Sequence, residues 1–258
     1  MKMMISLDCP YRESVIKFCK TLPLGFNNSG TILYDARNVI RKFRLDYDDI
    51  YDVEIVVKRF HKPSFINRIV YKFFRKSKAE RAYNNAVQLL KRGISTPESL
   101  AYIESYRNGL LDYCFYISGV DDAPPIKNLL LDPEKFDRKL ADAFAGFVAT
   151  LHNRGILHHD LNSTNVLYHQ HSDGTYTFSL IDINRMKIYP QGSTPSLIEC
   201  MDNLTRYCGD MTLFEYVARR YAKYRQLEIE PTVDKMMTVK RRHDRQWRRR
   251  KAILKIFK

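Results

Sequence analysis

The stretch ILHHDLNSTNVLYHQHSDGTYTFSLIDIN, residues 156–184, constrains the fold more than any other part of this chain. Apolar residues lead into His158-His159-Asp160, Asn165 follows, and Val166-Leu167-Tyr168 reads as a short strand. Ser172-Asp173-Gly174 supplies a turn, and the β-rich run from Thr175 to Ile181 returns the chain to Asp182. The spacing predicts a hairpin that presents Asp160, Asn165 and Asp182 at one end.

Taken singly, each of these side chains would serve equally well as a turn cap. Together, a loop carboxylate, an amide soon after it and a second carboxylate beyond the next strand are what phosphoryl transfer from ATP requires. Asp160 would accept the proton of the acceptor hydroxyl, and Asn165 and Asp182 would hold Mg2+, a hard cation that prefers oxygen ligands. The pattern resembles the catalytic and metal loops of the protein-kinase-like superfamily, with His-His-Asp for His-Arg-Asp and Asp-Ile-Asn for Asp-Phe-Gly. His158 reads as a structural histidine that packs or hydrogen-bonds.

The upstream residues follow the same order. Thr31–Tyr34, Val39–Leu45 and Val53–Phe60 are β-rich and separated by Asp35–Asn38 and by Asp46–Asp49, which predicts an antiparallel meander. Lys58 on the third strand resembles the lysine that reaches the ATP phosphates in kinases. Ser77 to about Arg92 reads as a helix stopped by Gly93. Its Glu80 is a candidate partner of Lys58, although Ser77 and Glu80 equally match a capping box. No GxGxxG precedes Lys58. If the turn from Tyr34 to Asn38 covers the phosphates, Arg37 or backbone amides must act where glycines act elsewhere.

Leu100–Glu104 and Tyr113–Ser118 read as further strands, broken by the Pro-containing stretch after Ser118. By resemblance Tyr116, Ile117 and Ser118 are candidates for binding adenine. Asp132-Pro133-Glu134 predicts a helix start, with the helix running to about Arg154. Two helices are expected over residues 197–207 and 213–227.

The order of features from Lys58 to Asn184 and the phrases SKAERAYNNAVQLLKRGISTPESLAYIES, HHDLNSTNVLY and FSLIDINRMK resemble the lipopolysaccharide core kinases, the Kdo/heptose kinase family. The resemblance implies an α+β, bilobal protein-kinase-like fold: residues 1–118 as a β-rich N-lobe, 119–239 as a mainly helical C-lobe and 240–258 as a basic amphipathic tail. It implies ATP- and Mg2+-dependent phosphorylation of a sugar hydroxyl, Kdo before heptose, with Asp160 as base, Asn165 and Asp182 on the metal, and Lys58 with Glu80 orienting ATP. The acceptor would be the lipopolysaccharide inner core or lipid A precursor, at the inner face of the bacterial cytoplasmic membrane. A protein or small-molecule kinase of the same fold and a catalytically silent scaffold are the alternatives.

The charge balance fits an acidic partner. Lys and Arg number 43 against 29 Asp and Glu, and residues 240–258 carry ten of the former against one Asp. Trp247, Arg248, Arg249, Arg250 and Lys251 are the candidate contacts of this tail with an anionic membrane surface or with substrate phosphates. No nucleic-acid motif accompanies it. Five widely spaced cysteines without a CxxC pair are expected to be reduced thiols, and no apolar run is long enough to span a bilayer.

Overall fold

The computed structural model describes residues 1–46 and 52–256. The turn expected at Asp46–Asp49 lies, from Tyr47 onward, outside the described residues, as does Phe257. The chain divides into two units, Met1–Asp122 with Ile183–Arg185, and Ala123–Asp182 with Met186–Lys258.

The first unit contains β1 (Lys2–Ile5), α1 (Arg12–Gly25), β2 (Thr31–Asp35), β3 (Val39–Asp46), β4 (Asp52–Phe60), α2 (Phe65–Phe73), α3 (Lys78–Lys91), β5 (Ser99–Arg107) and β6 (Leu110–Gly119). The strands form one antiparallel sheet in the order β1-β5-β6-β4-β3-β2. Side chains alternate across it. Phe115 and Ile117 join Val15, Leu22, Phe26, Ile55 and Val57 in a core beneath α1. Their neighbours Cys114 and Tyr116 join Phe60, Ala79 and Tyr102 under α3. The meander expected from residues 31–60 is thus the β2-β3-β4 half of this sheet.

At its entry Gly30 adopts a φ of +77°, and a Cβ there would stand 2.8 Å from both the Lys42 carbonyl and the Phe43 ring. Only glycine fits so close an approach in that conformation.

The second unit contains α4 (Lys127–Leu130), α5 (Arg138–Asn153), β7 (Ile156–Leu157), β8 (Val166–Gln170), β9 (Tyr176–Leu180), β10 (Lys187–Ile188), α6 (Leu197–Leu204), α7 (Met211–Tyr224) and α8 (Ile229–Ile256). The helix expected from Asp132 begins later. Asp132 caps a single 3-10 turn over Pro133–Lys135, and Asp137 caps α5 by accepting from the amides of Lys139 and Leu140 at 2.8 and 2.9 Å. Two capping carboxylates within six residues give two starts. Leu140, Phe144, Val148 and Leu151 form the buried stripe of α5, and α7 is tied to it by Arg220 and Tyr224, both bonded to the Asp142 carboxylate.

α8 is one 28-residue helix. Its first half is packed, with Val233, Met236 and Lys240 buried. Beyond Asp244 the described residues are mostly exposed. Trp247 and Ile253, each 54% exposed, project about 120° apart around the axis. No helix among the described residues is long and apolar enough to cross a membrane. All five cysteines are buried and unbridged.

Candidate active site

The hairpin of β8 and β9 pairs Val166 with Leu180 and Gln170 with Tyr176. Its turn is closed by Gly174, at φ +80°, and by Asp173, whose carboxylate accepts from the amide and hydroxyl of Thr175 at 2.9 and 2.7 Å. One residue before the first strand pair stands Asn165, and its carbonyl accepts from the Ile181 amide at 3.0 Å. Register alone therefore brings Asn165 and the residue before Asp182 side by side.

The loop before β8 is closed by its own polar groups. The amides of Asn162 and Asn165 donate to the carbonyls of Asp160 and Asn162 at 2.7 and 3.0 Å. The Asn165 side chain, almost fully buried, donates its NH2 to the Asp160 carbonyl at 2.9 Å. With the nitrogen held there, Oδ1 points away as an acceptor. Asn162 donates to an Asp160 carboxylate oxygen at 3.3 Å, and its own oxygen accepts from Thr164.

His158 joins the two halves of this arrangement. Its Nδ1 accepts from the Asp160 amide at 3.1 Å, and its Nε2 lies 3.0 Å from the Ile181 carbonyl. A carbonyl only accepts, so the ring is the neutral Nε2–H tautomer. Complete burial lowers its pKa, in agreement. One imidazole thus fixes the backbone beside both carboxylate positions, the structural role expected of it.

Asp182 has a φ of +54°. A left-handed conformation at a non-glycine residue costs free energy and persists where the surroundings impose it, frequently at functional sites. The three residues that follow belong to the first unit, where Asn85 of α3 donates to the Ile183 carbonyl at 2.7 Å.

A buried polar chain that the sequence did not reveal supports the loop from below. Asn203 of α6 donates to the His158 carbonyl at 2.7 Å and accepts at Oδ1 from His152 Nε2 at 3.1 Å. The other ring nitrogen of His152 therefore accepts from the Tyr221 hydroxyl at 2.7 Å, and Arg225 donates to that hydroxyl at 2.8 Å. Burial lowers the His152 pKa from 6.5 to about 4. The available signal was polarity on an apolar face: Asn203 sits among buried Cys200, Met201 and Leu204.

Leu157, His159, Ile198, Glu199, Asp202, Asn203, Val239, Arg242, His243 and Gln246 line a pocket of about 360 Å³ that reaches the residue preceding Asp160. Its carboxylates are already engaged. Glu199 accepts from Lys187, Tyr189 and Ser196, which holds its pKa far below the usual range, the Tyr189 hydroxyl first among the causes. Asp202 pairs with Arg206 at 3.4 Å. Arg242 has no carboxylate partner among the described residues.

In the first unit Lys58 lies on β4, between Ile40 of β3 and Tyr116 of β6, with its ammonium 5.2 Å from the Phe60 ring centroid. Glu80 takes only half of the capping box, the Ser77 side. Its amide donates to Ser77 Oγ at 3.1 Å. Among the described residues its carboxylate pairs with Lys2 and Lys76, at 3.0 and 3.4 Å, and not with Lys58. A carboxylate in the first turn of α3 lies at the helix entrance, within reach of β1.

Arg37 occupies the exposed turn between β2 and β3, where Asn38 accepts from the His61 amide at 3.1 Å. Half-buried Lys78 has its pKa lowered by burial first and then by the positive charges of Arg37, Arg185 and Arg81. These cations form an electropositive cluster around Lys78, of which Arg37 alone is a candidate by sequence.

Tyr116, Ile117 and Ser118 lie within β6, paired with Lys58, Val57 and Val56 on one side and with Tyr102, Ala101 and Ser99 on the other. Backbone groups committed to two ladders are not available to a base. The chain leaves the sheet after Gly119.

The oxygen donors at the hairpin, one amide and two carboxylates, suit magnesium, which takes few protein ligands and keeps water and phosphate oxygens. Among the described residues no cluster of three or more His, Cys, Asp or Glu forms an all-protein metal cage.

The family model of the lipopolysaccharide kinase (Kdo/WaaP) family matches residues 37–191, more than half of the chain. No protein of curated function matches the sequence. Among solved structures the chain is similar to "WaaP in complex with acyl carrier protein", over 95% of this chain and 99% of that one, with a TM-score of 0.62 and 14% identity. At that identity the likeness establishes the fold, which is α+β and protein-kinase-like.

Proposed function

Because the chain belongs to the lipopolysaccharide kinase (Kdo/WaaP) family, we propose that it transfers the γ-phosphoryl group of ATP to a hydroxyl of Kdo in the lipopolysaccharide inner core. The observation that carries this reading is the bonding around Asp160. Asn165 is held by its amide nitrogen with its oxygen turned outward, and one neutral His158 ties the Asp160 amide to the carbonyl before Asp182. Turn-capping residues would need none of this.

In the proposed reaction the acceptor oxygen bonds to the γ-phosphorus as the bond to the β–γ bridging oxygen breaks, and ADP leaves. Asp160 takes the hydroxyl proton at its carboxylate, with Asn162 donating to one oxygen of that group. Asn165 Oδ1 and the Asp182 carboxylate would hold the metal. Magnesium, when bound, offsets the charge on the transferring phosphate oxygens. Lys58, Arg37, Lys78 and Arg185 are the cations offered to the triphosphate, and mutual repulsion within the cluster is relieved by an anion. Glu80 would act through the start of α3. Adenine contact would fall to the residues after Gly119 rather than to Tyr116–Ser118, whose backbone is paired on both sides.

Kdo is a sugar acid, and the pocket beside His159 suits one. Its acidic side chains are paired internally, whereas Arg242 is available to a carboxylate. Trp247, Arg248, Arg249, Arg250 and Lys251 would meet anionic lipid at the inner face of the cytoplasmic membrane.

Transfer of labelled γ-phosphate to a Kdo-bearing lipid A precursor, with the precursor lacking Kdo as control, tests the reading. Label on the Kdo-bearing lipid alone is expected, and Asp160→Asn should abolish it with the unfolding transition unchanged. Label on heptose, on protein or on neither lipid would overturn the acceptor assignment.

A further inference from the structure

α2 is built inside out. On a surface helix the apolar stripe normally faces the core. Here Phe65, Ile66, Ile69 and Phe73 fall within an arc of about 100°, and they are 66%, 74%, 36% and 65% exposed. Phe74, at the C-cap, is 83% exposed. No residue of the helix is buried.

The other side holds it in place. Arg68 donates to the carbonyl of Leu111 at 2.7 Å and to those of Arg107 and Leu110 at 3.2 and 3.4 Å. Tyr71 packs into the core under α3. The helix is therefore fixed by its polar side, and four large apolar side chains are held in water at a cost that a partner would recover.

Charge indicates the partner. Residues 61–76, HKPSFINRIVYKFFRK, contain five Lys or Arg and no Asp or Glu. Lys72 and Arg75 are exposed beside the stripe, and the Lys72 ammonium lies 5.2 Å from the Phe73 ring centroid. Two copies meeting through this face would bring like charges together, whereas lipid phosphates would neutralise them.

We infer that α2 is an interfacial anchor, which inserts Phe65, Ile66, Ile69 and Phe73 among the acyl chains of an anionic bilayer with Lys72 and Arg75 at the phosphates. The inference rests on the membrane location proposed above, and it assigns the apolar contact to a segment that the sequence reading passed over.

The test is co-sedimentation of the full chain, without ATP or acceptor, with vesicles of phosphatidylglycerol and phosphatidylethanolamine and with vesicles of phosphatidylcholine. The wild type should partition onto the anionic vesicles. Phe65→Ser with Phe73→Ser should lower that partition by about tenfold or more while leaving the unfolding midpoint and turnover of a detergent-dispersed acceptor unchanged. In a Trp247→Phe background, Phe73→Trp should show blue-shifted emission on anionic vesicles only.

Three results would overturn the inference. One is unchanged partition of the double variant, with loss instead on Arg248→Gln, Arg249→Gln and Arg250→Gln. The second is light scattering that shows a wild-type dimer dissociated by the α2 substitutions. The third is equal binding to phosphatidylcholine. A failure of the sugar-kinase reading would leave the vesicle result unaffected, so the two fail separately.

Discussion

The buried His152 makes the second unit sensitive to acid in a defined window. Its folded pKa of about 4 lies below the ordinary 6.5, so the unfolded chain binds a proton that the folded chain refuses. Stability is fully present above pH 6.5, falls as the pH drops through the interval between the two values, and loses nothing further from this group below about 4. A gap of roughly 2.5 pH units corresponds to about 3 kcal/mol, of which about 2 kcal/mol is lost between pH 7 and 5. His158, completely buried and lowered in the same direction, adds to the loss. Carboxylates held low by partners, such as Glu199 and Asp142, lose their contribution only as pH falls below their unfolded values of 4.5 and 3.8, so the window above pH 5 belongs to the histidines. Urea unfolding followed by circular dichroism at pH 7, 6 and 5 should show the midpoint falling by up to about 1 M. His152→Gln removes the titration while keeping a donor for Asn203, and should lower stability at pH 7 by about 1–2 kcal/mol but flatten the pH dependence. A midpoint independent of pH from 7 to 5, or an equal fall in wild type and His152→Gln, would refute the reasoning.

Other outcomes follow from the same geometry. Asp182→Asn and Asn165→Ala should raise the magnesium concentration for half-maximal turnover by about tenfold or more, measured by titrating the metal at saturating ATP. Asp244→Ala strips the completely buried Lys240 of a carboxylate 2.6 and 2.7 Å away, and urea unfolding should report a loss of about 3 kcal/mol. Gly30→Ala should cost about 2 kcal/mol or more, since φ and space both exclude a methyl group. Arg242→Gln should raise KM for a Kdo-bearing acceptor with kcat little changed, because uniform binding is what it removes.

What was legible in the sequence was local. The strand–turn–strand frame from Val166 to Leu180 rests on period-two patterning and on an Asp-Gly turn, both written in neighbouring residues. The structure keeps it, and with it the juxtaposition of Asn165 and Ile181. What escaped depended on distance along the chain. Glu80 had two roles available to it by pattern, an ion pair with Lys58 and the reciprocal half of a capping box, and its carboxylate instead meets Lys2 on β1 and Lys76. Nothing within 78 residues of Glu80 could have announced the pairing with Lys2. Tyr116–Ser118 lie in the strand expected of them, but its end was not legible as a place for adenine for a related reason: a strand ends where its neighbours end, and both β4 and β5 accompany β6 through Ser118.

The same reasoning explains why α2 and Asn203 were missed while their meaning is opposite. Both are polarity reversals on a helix. Asn203 is a polar residue on an apolar face, and the structure resolves it with two buried hydrogen bonds. α2 is an apolar face on the outside, and among the described residues nothing covers it. A reversal satisfied internally is a structural device that stabilises one loop, whereas a reversal left unsatisfied has its partner elsewhere. Periodicity by itself cannot separate the two, because it reports that one face differs from the other and not which of them meets the core. Arg68 does separate them in α2, since a guanidinium bonded to three backbone carbonyls fixes which side faces inward and leaves the phenylalanines facing outward.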